Sequence, residues 1–388
     1  MKLTHLFLLL ALLAIFSWFM KHESLPKITP SGSKIKVGII APFSGVNKGK
    51  GQAGLQGIEI SKALRPYLKN GDALELIVID DREDPEQSIK ALRELAEEHK
   101  VTAIMIFSDS DSVLAVAKKA DHYKIPVVAL LASHPDITKE SSFVMQLNFD
   151  DTFQASVAAL YVRDELFLDR VAIVVQSENA HYLYLANEFS RQFKEVDGEI
   201  TDTVTITTVE QDYVKMLQTI KSRDPELLYL PADINYLFEI KTALAELDWD
   251  PVIMVSDGIM ANVKAQTKYP LSFLDGMLAV DTFSYDMRFT DFGHQLVEQI
   301  EAMGLPMLSL GTHSALGMEG YALLVYAMNQ CLQSKQLSIC INNSIHSIEK
   351  FEGIKGIISF DATGQSHRSL VINTIKDNGT MDFIVQVY

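Results

Sequence analysis

From Lys36 onward, short β-rich apolar runs alternate with helix-forming stretches. Strands that are apolar on both sides, separated by helices, restrict a chain to α/β architectures with parallel sheets covered on both faces. Lys36-Val-Gly-Ile-Ile-Ala41 reads as a buried strand, Gly51 to Leu68 as a helix, and Leu74 to Asp80 as a second strand. Asp84-Pro85 opens a helix to Glu98, with Asp as the cap and Pro at the first helical position. Ala103 to Phe107 forms a third strand, Ser112 to Tyr123 a helix, and Val127 to Leu131 a fourth strand.

The pattern then restarts. A helix from Thr152 to Glu165 precedes a strand at Arg170 to Val175, and Tyr182 to Lys194 is helical. Strands near Val204, at Leu227 to Leu230 and at Val252 to Val255 are separated by helices Tyr213 to Ser222 and Ile234 to Leu247. The chain of 388 residues therefore predicts two doubly wound parallel-sheet lobes, each large enough for its own core. Two such lobes leave a cleft at the carboxyl ends of their strands as the place for a ligand.

The net charge of −16 argues against nucleic acid, because phosphate binding needs clustered Lys and Arg. Leu6 to Met20 is a mostly apolar run flanked by Lys2 and Lys21, the pattern of an export signal. The bulky Phe16-Ser17-Trp18-Phe19-Met20 offers no small-residue cleavage site, so a cleaved signal and a retained membrane anchor both stay open. Pro26, Pro30 and Ser31-Gly32-Ser33 make residues 1–33 a leader plus linker. Cys331 and Cys340 are the only cysteines. In an oxidising compartment they form either a disulfide or two buried thiols.

Gly49-Lys50-Gly51-Gln52-Ala53-Gly54 spells GxGxxG, and Asp80 ends the next strand where a ribose-binding acid would lie. A dinucleotide fingerprint needs its first glycine directly after the first strand, and here Pro42 to Lys48 intervene. The segment reads instead as a cleft-mouth loop entering a helix, and no cofactor is expected. Phe107-Ser108-Asp109-Ser110-Asp111-Ser112 precedes a helix and serves as a cap or as an anion seat. Ala132-Ser133-His134-Pro135-Asp136 follows the fourth strand, and Val255-Ser256-Asp257-Gly258 ends a strand of the other lobe. A carboxylate opposite hydroxyls suits a zwitterion, which meets a charge-assisted partner at each end. No GxSxG or HExxH occurs, so neither a catalytic nor a metal site is expected.

From about Lys34 to the C-terminus the sequence resembles the type I periplasmic solute-binding proteins, specifically the branched-chain amino-acid (Leu/Ile/Val) binding family of ABC transporters. The marks are Lys36-Val-Gly-Ile-Ile-Ala-Pro-Phe-Ser-Gly45, Asp80-Asp81-Arg-Glu-Asp84-Pro85, Ile125-Pro-Val-Val, Gln211-Asp212-Tyr213 and Gly356-Ile-Ile-Ser-Phe-Asp361-Ala-Thr-Gly364. The resemblance implies hinge closure on a small ligand and three crossings between lobes, near Asp151, Val280 and His367. Lobe one is then residues 34–151 and 281–366, and lobe two is 152–280 and 367–388. It further implies that Ser110 and Ser133 hold the ligand carboxylate, and that the Ala132 carbonyl and Asp257 meet its ammonium. Three positions depart from the family: Lys50 replaces an aromatic, His181-Tyr182 stands for Tyr-Gly, and Asp233 falls where another pocket aromatic belongs. Lys50 and Asp233 either select polar ligand groups or lie at a solvated rim. The expected partners are an amino acid or related carboxylate and an inner-membrane ABC permease. The alternative is an anchored sensory or regulatory protein whose lobes contact a protein.

Overall fold

The computed structural model describes residues 28–207, 212–257, 259, 270–284, 286–307 and 311–388. The apolar leader and Gln211 lie outside the described residues. Among those described, no helix is long and apolar enough to cross a membrane.

Five strands build the first sheet: β1 (Lys34–Ala41), β2 (Ala73–Asp80), β3 (Ala103–Ile106), β4 (Val127–Ala129) and β5 (Val144–Gln146). All pair in parallel, in the order β2-β1-β3-β4-β5. Between them run α1 (Lys48–Leu64), α2 (Pro85–Glu94), α3 (Ser110–Tyr123) and α4 (Ile137–Glu140). The next stretch alternates α5 (Asp151–Leu160), β6 (Arg170–Gln176), α6 (Ala180–Glu195), β7 (Glu199–Ile206), α7 (Tyr213–Lys221), β8 (Leu227–Leu230), α8 (Ile234–Glu246), β9 (Val252–Val255) and β10 (Leu278–Asp281). Then come α9 (Asp291–Ala302), α10 (Thr312–Gln330), α11 (Leu337–His346), and strands β11 (Phe351–Glu352), β12 (Ile357–Phe360), β13 (Ser366–His367), β14 (Leu370–Ile375) and β15 (Met381–Val387).

Helices α9 to α11 return to the first sheet. Phe292, Leu296, Leu316, Leu323 and Ile341 share one core with Val37, Ile39 and Met105. The opposite face of that sheet buries Ile40, Ile104 and Val127 under α2 and α3. The second sheet likewise has a core on each face, one around Val174, Leu228 and Phe238 and one around Val171, Tyr229 and Phe189. This two-faced burial is why the strands read as continuous apolar runs rather than alternating ones.

The second sheet is not wholly parallel, as the sequence pattern implied. Its order is β15-β14-β10-β9-β8-β6-β7, and β14 runs antiparallel to both β10 and β15. Residues 370–387, β14 and β15, thus close the far edge as a hairpin. A further small antiparallel sheet, β11-β12-β13, was not apparent from periodicity because its strands are two to four residues long.

The glycines at the start of α1 do not form a loop. Helix α1 starts at Lys48, and its glycines give passage to neighbouring backbone. A Cβ on Gly51 would lie 2.1 Å from the Pro42 carbonyl oxygen, and one on Gly57 would lie 2.0 Å from that of Ser314. Glycine there lets α1 pack backbone-to-backbone against α10. Asp80, the rival ribose ligand, instead accepts the Phe43 N–H at 2.8 Å and the Arg82 N–H at 3.0 Å. Both halves of the dinucleotide fingerprint are structural. Cys331, which caps the end of α10, is bonded to Cys340 within α11.

Below the sheets the chain segments near residues 147, 283 and 367 are stitched side by side. Ser366 Oγ donates to Leu147 O at 2.9 Å, Gln365 Nε2 to Asn148 O at 3.1 Å, and Asn373 Nδ2 to Phe283 O at 3.0 Å. Arg368 Nη1 lies 2.9 Å from Glu319 Oε2, both side chains nearly water-free. Glu319 also accepts the Ile354 N–H at 2.8 Å through its other oxygen, so α10 is pinned to this base. Removing one partner of such a pair strands the other charge in the interior. Glu319→Ala is therefore expected to destabilise the protein by about 3–5 kcal/mol, read as the shift in urea unfolding free energy; a change within experimental error would remove this role.

Candidate functional site

Helix caps and strand ends bring the candidate residues to one cavity. Asp109 caps α3 by accepting the Ser112 N–H at 3.2 Å, which sets Ser110 at the first helical position. Ser133 sits in the loop after β4. On the other lobe, Asn179 caps α6 by accepting the N–H groups of His181 at 2.9 Å and Tyr182 at 3.4 Å. Asp233 occupies the cap position of α8 but caps nothing. Its carboxylate accepts the Tyr182 hydroxyl at 3.0 Å, while its own N–H is held by Gln176 Oε1 at 2.9 Å. Asp257 follows β9.

These groups enclose a cavity of about 70 Å³. Ser110, Ala132, Ser133 and Lys50 line it from elements around the first sheet, and His181, Asp233 and Asp257 from elements around the second. All seven residues expected from the sequence are therefore brought together. Lys50 and Asp233 are part of the lining rather than of a solvated rim.

Several details differ from a simple zwitterion clamp. The Ser110 hydroxyl accepts the Ser133 N–H at 3.4 Å and the His134 N–H at 3.3 Å, so the carboxylate seat is closed on itself. These long bonds are weak, and a carboxylate would replace them with charge-assisted ones. The Ala132 carbonyl, expected to face an ammonium, already accepts Gln146 Nε2 at 3.3 Å.

His181 dominates the centre. Its Nδ1 lies 3.0 Å from Asp151 Oδ2 and 3.3 Å from Ser133 Oγ, and its Nε2 lies 3.4 Å from Asp257 Oδ1. The two ring nitrogens thus link Ser133, after β4, with Asp257, after β9. Burial alone would discharge the imidazole, but Asp151 first and then Asp257 outweigh it and hold its pKa up at about 10. The ring is thus an imidazolium at neutral pH, at a helix N-terminus that disfavours cations. The two carboxylates overcome that dipole.

At the other end Lys50 Nζ donates to Glu83 Oε1 at 2.9 Å. Burial opposes the Lys50 charge, yet Glu83 raises its pKa. Burial likewise raises Glu83 and Asp109. Burial pushes Tyr182 well up, with Asp233 adding to the effect. His313 lines the same cavity, and burial together with Lys50 depresses it to about 4, so its imidazole is neutral. Behind Asp257, burial and that carboxylate raise Asp281 to about 7 although Thr312 Oγ1 donates to it at 2.8 Å. Glu83, Asp151, Asp281 and His313 were not singled out from the sequence. They come from separate loops and helix starts, and no local spacing links them. Among the described residues there is no group of side chains able to hold a metal ion.

The comparisons with known proteins identify the family. A model of periplasmic binding proteins matches residues 34–380. The chain belongs to the periplasmic binding protein family. Membership makes it a solute-binding protein rather than an enzyme, and implies a periplasmic location. An amino acid binding protein of Pseudomonas aeruginosa is 22% identical over 303 residues, covering 77% of each chain. The structure is similar to a leucine binding protein, LivK, of Thermotoga maritima, with a TM-score of 0.81, 24% identity, and coverage of 91% of this chain and 98% of that one. It is also similar to an ABC-transporter solute-binding protein of R. palustris in complex with 4-hydroxybenzoate, at a TM-score of 0.77 and 19% identity over 92% of this chain and 97% of that one.

The His181 contacts make a pH dependence testable in this binding protein. The folded pKa is raised above the unfolded value of 6.5, so the stabilisation is complete below pH 6.5 and is lost as pH rises towards about 10. His181→Gln is expected to be less stable than the wild type by a few kcal/mol at pH 6.5, with the gap narrowing towards pH 10. Urea unfolding of both proteins across that range measures it. A gap that stays constant or widens with pH would contradict the imidazolium assignment.

Proposed function

We propose that this binding protein captures a small solute bearing a carboxylate, an amino acid or a close relative, between its two lobes and delivers it to an inner-membrane ABC importer. The lobes are residues 34–151 with 281–366 and residues 152–280 with 367–388, joined by crossovers near Asp151, Val280 and His367. One observation carries the reading: Ser110 at the start of α3 and Ser133 in the loop after β4 line the same cavity as Asp257 and Asp233. A carboxylate at the serines gains the hydroxyls and the positive end of α3. An ammonium on the same molecule then reaches the acids of the second lobe, so the guest bridges both. Such a guest makes the closed arrangement the favoured one by binding it better than the open one. The leucine in the binding protein of Desulfitobacterium hafniense and the 4-hydroxybenzoate in that of R. palustris support a carboxylate guest of either kind.

The test is calorimetric titration with the standard amino acids and a set of aromatic carboxylates. At least one is expected to bind, and Ser110→Ala with Ser133→Ala is expected to weaken that ligand by tenfold or more, since a hydrogen bond to a charged group contributes roughly 1.5–3 kcal/mol. If no small carboxylate binds, the reading fails.

A further inference from the structure

The charges around the cavity do not balance, and the imbalance speaks to what the guest carries. Each cation of the lining is already answered by an acid lying outside the lining: Lys50 by Glu83 at 2.9 Å, and His181 by Asp151 at 3.0 Å. Among the described residues two carboxylates of the lining, Asp109 and Asp233, have no ion pair, and a third, Asp257, shares the single His181 cation with Asp151, so five acids meet two cations. Asp109 is eased by its α3 cap and Asp233 by the Tyr182 hydroxyl, both neutral donors. Asp257 has less. Its side chain is only 7% exposed, and its Oδ1 meets no donor at full hydrogen-bonding geometry, only the His181 Nε2 at 3.4 Å, whose charge it shares with Asp151. An acceptor of this kind, lining a cavity and only partly met, costs free energy until a better donor arrives.

We infer, on the basis of the carboxylate-binding function proposed above, that the preferred guest is a diamino acid, with its α-ammonium at Asp257 and a second cationic group between Asp233 and Asp109. A carboxylate without an amino group would add a negative charge to a lining that already has an excess of them. A neutral zwitterion such as leucine would leave the excess as it is. A second ammonium reduces it, and in a closed, dried cleft each charge-assisted contact counts for more than in water. An aliphatic side chain would instead lie against Asp233 and Asp109 and bury them unpaired. The same arrangement explains why the aromatic residues of a leucine pocket are replaced by Lys50 and Asp233. Lys50 positions Glu83 and stays engaged with it, leaving Asp233 for the ligand.

Ornithine and leucine have the same count of non-hydrogen atoms, so a comparison of the two separates charge from size. Calorimetric titration of the full chain with ornithine, leucine and 4-methylpentanoate is expected to rank them in that order, ornithine ahead of leucine by tenfold or more. Asp233→Asn is expected to reduce the ornithine-to-leucine ratio about tenfold. Equal or tighter binding of leucine by the wild type overturns the diamino preference and leaves carboxylate binding standing. Tightest binding of 4-methylpentanoate overturns the ammonium seat at Asp257 as well. Absence of binding by all three, and by the wider amino-acid and aromatic carboxylate panel, overturns the proposed function and this inference together. An unchanged ratio in Asp233→Asn, with that variant folded by circular dichroism, removes Asp233 from the second subsite and overturns the inference.

Discussion

The buried imidazolium of His181, set between Asp151 and Asp257, is the contact on which the rest of the cleft is organised. It touches Asp151 at the start of α5, Asp257 after β9 and the hydroxyl of Ser133 after β4. Two carboxylates so close would repel each other strongly in a low-dielectric site, and the ring between them offsets that repulsion. The ring also limits what a guest can gain. Asp257 is not an untouched acid: it already shares the charge of the ring with Asp151, so a cationic guest at that carboxylate would have to compete with His181.

Around this centre the two sheets are buried separately. Each has its own core on both faces, so neither depends on the other for its burial. The segments near residues 147, 283 and 367 are tied by side-chain to backbone bonds and by the Glu319–Arg368 pair. The edge-to-face packing of His134, in the loop after β4, on Tyr184 of α6, with ring centroids 5.0 Å apart, adds a modest contact between those two elements.

Much of this was legible in the sequence because the determining signals are local. The Asp84-Pro85 cap and the apolar runs at Val37 to Ala41 and Leu227 to Leu230 mark element ends and buried strands without tertiary information. The serines and Asp257 were legible through their places at strand ends. The balance of the site was not. Glu83 answers Lys50 from 33 residues away, and Asp151 answers His181 from 30, so neither pairing leaves a pattern in the chain. The glycine run reads correctly as no dinucleotide site but wrongly as a loop, whereas it lies inside α1; its glycines answer close neighbours that leave no local pattern, Pro42 at Gly51 and Phe107 at Gly54. The hairpin β14–β15 escaped notice because strand direction depends on how the chain returns, not on residue type.

The most direct measurement is a crystal structure of the protein with its tightest-binding amino acid. The account expects the ligand carboxylate within hydrogen-bonding distance of the Ser110 and Ser133 hydroxyls, and its α-ammonium on Asp257 beside the His181 ring. A guest bound with its carboxylate away from those serines, or one lodged outside the space between the lobes, would contradict it.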